Sequence, residues 1–220
     1  MATETRRPET LDSVEFTVED TLVVADPCYV DTDDGETTRA VVSDARTSGL
    51  STVVENAAGE WTAEAEYSDE GSWGNRVARL VLTRRGAGYA ARGAEVGRNG
   101  VDSGQMWAGP AAALPLDYEA LLETYRDADG EWVDRSLFEA PEGGAVSSTG
   151  YGDGLYSVYV NRDAEGVASR VEVEFIEPPC EGCGYTEDEC RCCWRCGISS
   201  ENCGCCENCG ERDCDCEEDW

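Results

Sequence analysis

Along much of the chain, apolar and polar positions alternate one by one. Val14-Glu15-Phe16-Thr17-Val18-Glu19 does so, as do Trp61–Tyr67, Leu155–Asn161 and Ala168–Ile176. A period of two is that of a half-buried strand, because successive side chains point to opposite faces. Arg76–Thr83 (RVARLVLT) also has strand character, and the turn-rich SDEGSWGN links it to Trp61–Tyr67 as a hairpin with a longer loop. NRDAEG joins Leu155–Asn161 to Ala168–Ile176 as a second hairpin. Leu22-Val23-Val24-Ala25 is a continuous apolar run that stops at Asp26-Pro27. Proline pushes Asp26 into an extended shape and favours a turn after it. Residues 31–37 read as a loop, and Arg39–Ser43 and Thr52–Glu55 as two short strands. Helical period occurs once with caps, over Asp117–Arg126: Pro115 precedes it, Asp117 caps it, and Leu121, Leu122 and Tyr125 form the apolar stripe. Glu131–Phe138 predicts a second, short helical turn. Residues 1–12 are polar and expected to fray, and 86–104 are rich in Gly and Ala with no clear period. The expected fold over 1–177 is a β-rich α+β domain of antiparallel hairpins with one main helix.

Glu177-Pro178-Pro179 marks a boundary to a Cys-rich tail over 178–220, which holds 12 of the 13 cysteines and almost no aliphatic residues. The tail repeats one pattern three times, C-x2-C-G, a spacer, then C-x-C. The copies use Cys180, Cys183, Cys190 and Cys192; Cys193, Cys196, Cys203 and Cys205; and Cys206, Cys209, Cys214 and Cys216. A C-x2-C-G turn aims two thiolates to one side, and its glycine permits the tight backbone. The C-x-C pair supplies the other two sulfurs of a tetrahedral zinc site. Three closed four-thiolate sites, three structural Zn²⁺, are the expectation. Each would contribute about 10–16 kcal/mol to folding a segment that has no core. A disulfide framework needs an oxidising compartment, and no secretory leader is visible in MATETRRPET. An iron–sulfur cluster or a metallothionein-like shared cluster would use the same sulfurs.

Charge and composition then remove reaction classes. The chain carries 47 Asp+Glu and 17 Lys+Arg, all arginine, with no His, for a net charge of −30. Without His there is no Ser-His-Asp triad, no Cys-His pair and no His-ligated zinc. Without Lys there is no Schiff base and no P-loop lysine. Such acidity destabilises a compact fold by self-repulsion in dilute buffer, and molar salt, with a Debye length of about 3 Å, removes most of it. The composition therefore points to the high-salt cytoplasm of a halophile, or to a virus of one. A nucleic-acid mimic would concentrate its charge on one face, whereas the acids here are spread along every segment. Residues 177–220 bear a net −10, and three tetrathiolate zinc sites would bring them to −16, so this segment repels phosphates. A protein partner is expected and nucleic acid is not. No apolar run of about 18 residues is present to span a membrane.

Four segments carry a resemblance: Val24-Ala25-Asp26-Pro27-Cys28-Tyr29, Ser72–Leu80 (SWGNRVARL), Val101-Asp102-Ser103-Gly104-Gln105, and Gly152–Tyr159 (GDGLYSVY). Their order and spacing resemble an uncharacterised domain family of bacteria, archaea and tailed phages. The resemblance implies a compact β-rich fold and brings no established activity; the tail lies outside it. Asp26, Asp102 and Asp153 each sit at a turn beside Pro, Ser or Gly. Three carboxylates brought together could hold a divalent cation for hydrolysis. Asp at such positions is equally ordinary turn chemistry. Cys28 is the one thiol outside the tail; its acidic surroundings raise a thiol pKa, and no His is present to activate it. Tyr and Trp are expected in the core. A non-enzymatic accessory or protein-interaction protein with a zinc-stabilised tail is the leading expectation. A metal-dependent hydrolase using Asp26, Asp102 and Asp153, and a metal or redox sensor built on the tail, are the alternatives.

Overall fold

The computed structural model describes residues 13–31, 49–88, 91–127, 129–133 and 135–177. The chain divides into two units, Met1–Ile176 and Glu177–Trp220, and the architecture below is that of the first. The tail with its twelve cysteines, the candidate strand Arg39–Ser43, most of the loop 31–37 and the N-terminal twelve residues lie outside the described residues.

Among the described residues, eleven strands form two antiparallel sheets. They are β1 (Val14–Val18), β2 (Leu22–Ala25), β3 (Ser51–Val54), β4 (Gly59–Asp69), β5 (Asn75–Arg84), β6 (Ala94–Val101), β7 (Gln105–Pro110), β8 (Leu137–Glu139), β9 (Ala145–Ser148), β10 (Gly154–Arg162) and β11 (Ala168–Glu174). The six-stranded sheet runs β1-β4-β5-β11-β10-β6, and the five-stranded sheet runs β3-β2-β7-β9-β8. The only α-helix among the described residues is α1 (Tyr118–Glu123), capped by the Asp117 carboxylate, which accepts from the Ala120 amide at 2.9 Å.

The sheets pack face to face. Leu22, Val24, Met106, Ala108, Leu137 and Ala145 of the smaller sheet meet Trp61, Leu80, Leu82, Val158, Val171 and Val173 of the larger one. Neighbouring residues on the same strands of the smaller sheet face the other way. Val23, Ala25, Trp107, Phe138 and Val146 pack against Leu116, Leu121 and Tyr125 around α1. The five-stranded sheet is thus covered on both faces, which is why β2 is an unbroken apolar run with every residue buried. Asn99 of β6 ties the sheets across one edge. It is fully buried, donates to the Val24 carbonyl at 2.8 Å and accepts from the Thr52 hydroxyl at 2.8 Å.

The outer face of the larger sheet carries charge instead of a second core. Glu172 and Glu174 of β11 have side chains only 1% and 8% exposed. Arg92, Arg79 and Arg170 approach Glu172 at 3.1, 3.7 and 2.9 Å. Arg92 also reaches Glu174 at 2.5 Å and lies over the Tyr159 ring, 3.7 Å from its centroid. Arg79 further pairs with Glu66 at 3.1 Å.

The two expected hairpins form, β4 with β5 and β10 with β11. The expected helical turn over Glu131–Phe138 does not. Arg126 instead makes an antiparallel bridge with Trp132, and Leu137–Glu139 is β8. Leu137 and Phe138 are adjacent and enter opposite cores, which a strand allows and a helix does not. The main helix is also shorter than expected. The Thr124 hydroxyl bonds back to the Leu121 carbonyl at 2.7 Å, and Arg126 leaves for its bridge.

Candidate functional site

Asp26 ends β2, and Pro27 sets the chain into a 3-10 turn over Pro27–Tyr29. The Asp26 carboxylate is fully buried. One oxygen accepts from the Cys28 amide at 2.9 Å and the Ser103 hydroxyl at 2.6 Å. The other accepts from the amides of Asp102 and Ser103 at 2.7 and 2.9 Å. A carboxylate has about four acceptor positions. All four are filled by protein donors, so Asp26 clamps the β6–β7 turn to the end of β2. Gly104 closes that turn at φ +69°, a backbone region costly for other residues.

Asp102 comes to the same place by its backbone, while its carboxylate accepts a hydrogen bond from the Tyr29 hydroxyl. That bond, with burial and the Asp102 charge behind it, pushes the Tyr29 phenol well above its ordinary value. Cys28, half-buried, is pushed up to about 12 by burial first, and then by the hydrogen bond and charge of Asp26 and the charge of Asp102. The thiol is thus held neutral across ordinary pH. Tyr118 closes the cluster. Its amide donates to the Asp31 carboxylate at 3.2 Å, and its phenol is raised by burial first and then by the charge of Asp26.

Asp153 is no part of the Asp26 clamp, although its turn adjoins that of Asp102. It is exposed, in the turn before β10, one residue outside the Gly154–Val101 pair. Among the described residues, no group of three or more His, Cys, Asp or Glu side chains is arranged to hold a metal ion. Asp26 and Asp102 thus meet through a structural clamp, and Asp153 stands on the adjoining turn.

The resembling segments converge all the same. The Thr149 amide donates to the Gly104 carbonyl at 3.1 Å, so the 149–153 turn lies against the 102–104 turn. Beside it, Trp73, at the end of the 3-10 turn Gly71–Trp73, meets Tyr151 edge-on, with ring centroids 6.2 Å apart at 81°. The Tyr151 hydroxyl donates to the Glu70 carboxylate. This bond lowers the Glu70 pKa and raises that of the phenol. Trp73 and Tyr151 are 66% and 55% exposed. The aromatic residues thus divide. Trp61 and Trp107 are core, as expected, whereas Trp73, Trp132, Tyr67 and Tyr151 face outward.

Sequence reasoning singled out the carboxylates and passed over Trp73, Tyr151, Glu70 and Ser103. The available signal was an aromatic residue inside a Gly-rich turn, in SWGN and in TGYGDG. Comparison with protein-family models, curated proteins and solved structures finds no match for this chain.

Proposed function

We propose that this chain is a non-enzymatic accessory, protein-interaction protein of a halophile or its virus, working in a high-salt cytoplasm and carrying a structural zinc module over 178–220. The observation that carries this reading is the state of Asp26. The most buried of the candidate carboxylates has every acceptor position occupied by four internal donors, so it fixes turns and leaves no lone pair for a cation. The neighbouring 70–74 and 149–153 turns present outward an aromatic and carboxylate surface, Trp73, Tyr151 and Glu70. Surface of this kind suits protein contact, where exposed Trp and Tyr supply large area at low entropic cost. Among the described residues, no helix is long and apolar enough to cross a membrane. For the tail, the support is the threefold division of its cysteines into sets of four.

The test has two arms, both on full-length protein. Native mass spectrometry of protein purified in molar KCl from its natural host background should show a complex of fixed stoichiometry with another protein. Phosphodiester and carboxylic ester probes with Mg²⁺ or Mn²⁺ should show no turnover. Metal-dependent hydrolysis that disappears in Asp102→Asn would overturn the reading in favour of the hydrolase.

A further inference from the structure

Three rings among the described residues carry an arginine from the same chain, and they differ in how well it covers them. Arg92 sits 3.7 Å from the Tyr159 centroid and Arg126 sits 4.6 Å from that of Trp132. Arg76 is 5.9 Å from the Trp73 centroid, close to the limit of about 6 Å for a useful cation–π contact. Arg76 is also held away from the ring centre, because its Nε donates to the Trp73 carbonyl at 3.1 Å. Trp73 is the most exposed large apolar side chain described, at 66%. The perpendicular Tyr151 makes a second wall beside it. Glu70 fixes that wall through the Tyr151 hydroxyl and keeps its charge, and the exposed Asp69 lies next to it in sequence. Two aromatic walls at right angles with carboxylates at the rim form the corner that recognises an organic cation.

Resting on the protein-interaction reading, we infer that the Trp73–Tyr151 corner takes an arginine or lysine side chain from an extended segment of a partner protein, with Glu70 as its counter-charge. Charge complementarity selects this occupant. The Glu70 and Asp69 carboxylates stand at the rim of the corner itself, so the group that complements it is cationic. Salt selects the mode of contact. In molar salt the long-range field is screened to about 3 Å, so partner choice must come from short-range contact, which a desolvated cation on a ring face supplies.

The probes are the pentapeptide amide Gly-Arg-Gly-Arg-Gly and its citrulline counterpart, which has the same shape without charge. Each is titrated in molar KCl into full-length, zinc-loaded protein followed by its indole N–H resonances, with Trp73 assigned through Trp73→Phe. The arginine peptide should move the Trp73 resonance selectively and the citrulline peptide should not. Trp73→Ala should weaken binding at least about fivefold, while the remaining indole resonances stay in place. Tyr151→Phe, which keeps the wall but frees Glu70, and Glu70→Gln should each weaken it as well. Equal response to the citrulline peptide would overturn the inference, and so would binding unaffected by Trp73→Ala, since bulk acidity would then explain it. No Trp73 shift at saturating peptide would also overturn it. A partner complex that survives Trp73→Ala in the natural background would remove this inference and leave the interaction reading intact.

Discussion

Replacing Arg92 by alanine tests whether arginines in this acid-rich chain are placed to neutralise buried acids. Only 14 arginines face 34 acids over residues 1–176, yet three of them, Arg79, Arg92 and Arg170, surround one strand. Glu172 Oε1 and Glu174 Oε1 are buried and have no well-aligned hydrogen bond, so charge proximity alone holds them. Arg92 is the residue that reaches both. Removing one partner of a buried pair typically costs about 3–5 kcal/mol. The Arg92 side chain is 35% exposed, and Glu172 keeps Arg170 at 2.9 Å, so solvent and the remaining partner reduce that figure. With the stacking on Tyr159 lost as well, the expected cost is about 2–3 kcal/mol. For a domain of this size that lowers the melting temperature by roughly 5–10 °C.

The assay is thermal unfolding followed by tryptophan fluorescence, since Trp61 and Trp107 lie in the two cores. Arg85 is the control. It pairs with Glu15 and Glu60, but its side chain is 60% exposed. Arg85→Ala should cost about 0.5 kcal/mol or less in dilute buffer and nothing in molar KCl. The Arg92→Ala penalty should persist in molar KCl, because a partly buried pair is screened much less. Adding Glu174→Gln to Arg92→Ala should recover part of the loss by removing an unpaired buried charge. Equal penalties at the two arginines, or an Arg92 penalty that vanishes in salt, would refute the reasoning.

Three further outcomes are expected. Asp26→Asn should destabilise the domain by about 2–4 kcal/mol, because the amide cannot accept at both ends from three N–H groups and a hydroxyl; a fully stable variant would end the clamp description. Cys28, read by mass-spectrometric peptide mapping, should resist iodoacetamide in folded protein at pH 9 and react only near its value of about 12. The folded thiol is raised above its unfolded value of 9.0, so its contribution to stability is complete below pH 9 and is lost as pH climbs from 9 towards 12; rising stability over that interval would contradict the assignment. Cys196→Ser should lower the zinc count of full-length protein from three to about two by native mass spectrometry, because only the middle set of four loses a ligand, and loss of all metal would favour a shared cluster.

How legible each part was follows from what surrounds it. Strands whose second face is polar in sequence, β1, β4, β10 and β11, read directly from alternation, and β2 read from its unbroken apolar run. β6 and β7 did not. In β6 the polarity is inverted. Val96 is 52% exposed while Asn99 is fully buried, and only partners 47 and 75 residues away explain the asparagine. Gly93, just before β6, also reads as loop, yet a Cβ there would lie 2.0 Å from the Val160 carbonyl, so the residue is set by close strand approach. In β7, Met106, Trp107 and Ala108 alternate between two cores, which erases the polar half of the pattern. The Glu131–Phe138 error has the same source: Trp132, Val133, Leu137 and Phe138 have helical spacing in one dimension but belong to an exposed ring, a loop and a strand in three.

The aspartates show the limit from the other side. Asp26 and Asp102 were chosen as carboxylates at turns, and the turns do meet. The sequence contains no sign of which atoms would meet. Asp26 contributes its carboxylate, Asp102 chiefly its amide, and Ser103 both amide and hydroxyl. A buried carboxylate must find several donors or remain uncharged. Backbone amides of a tight turn deliver those donors without spending lysine or histidine, which this chain lacks altogether. The same economy appears at Glu172, where the donors are arginines because a β-strand in a sheet has no free amides to offer. In so acidic a chain, the buried acids are thus the ones with the densest donors around them, and the functional surface is to be sought among exposed groups whose partners are still incomplete, of which Trp73 is the clearest.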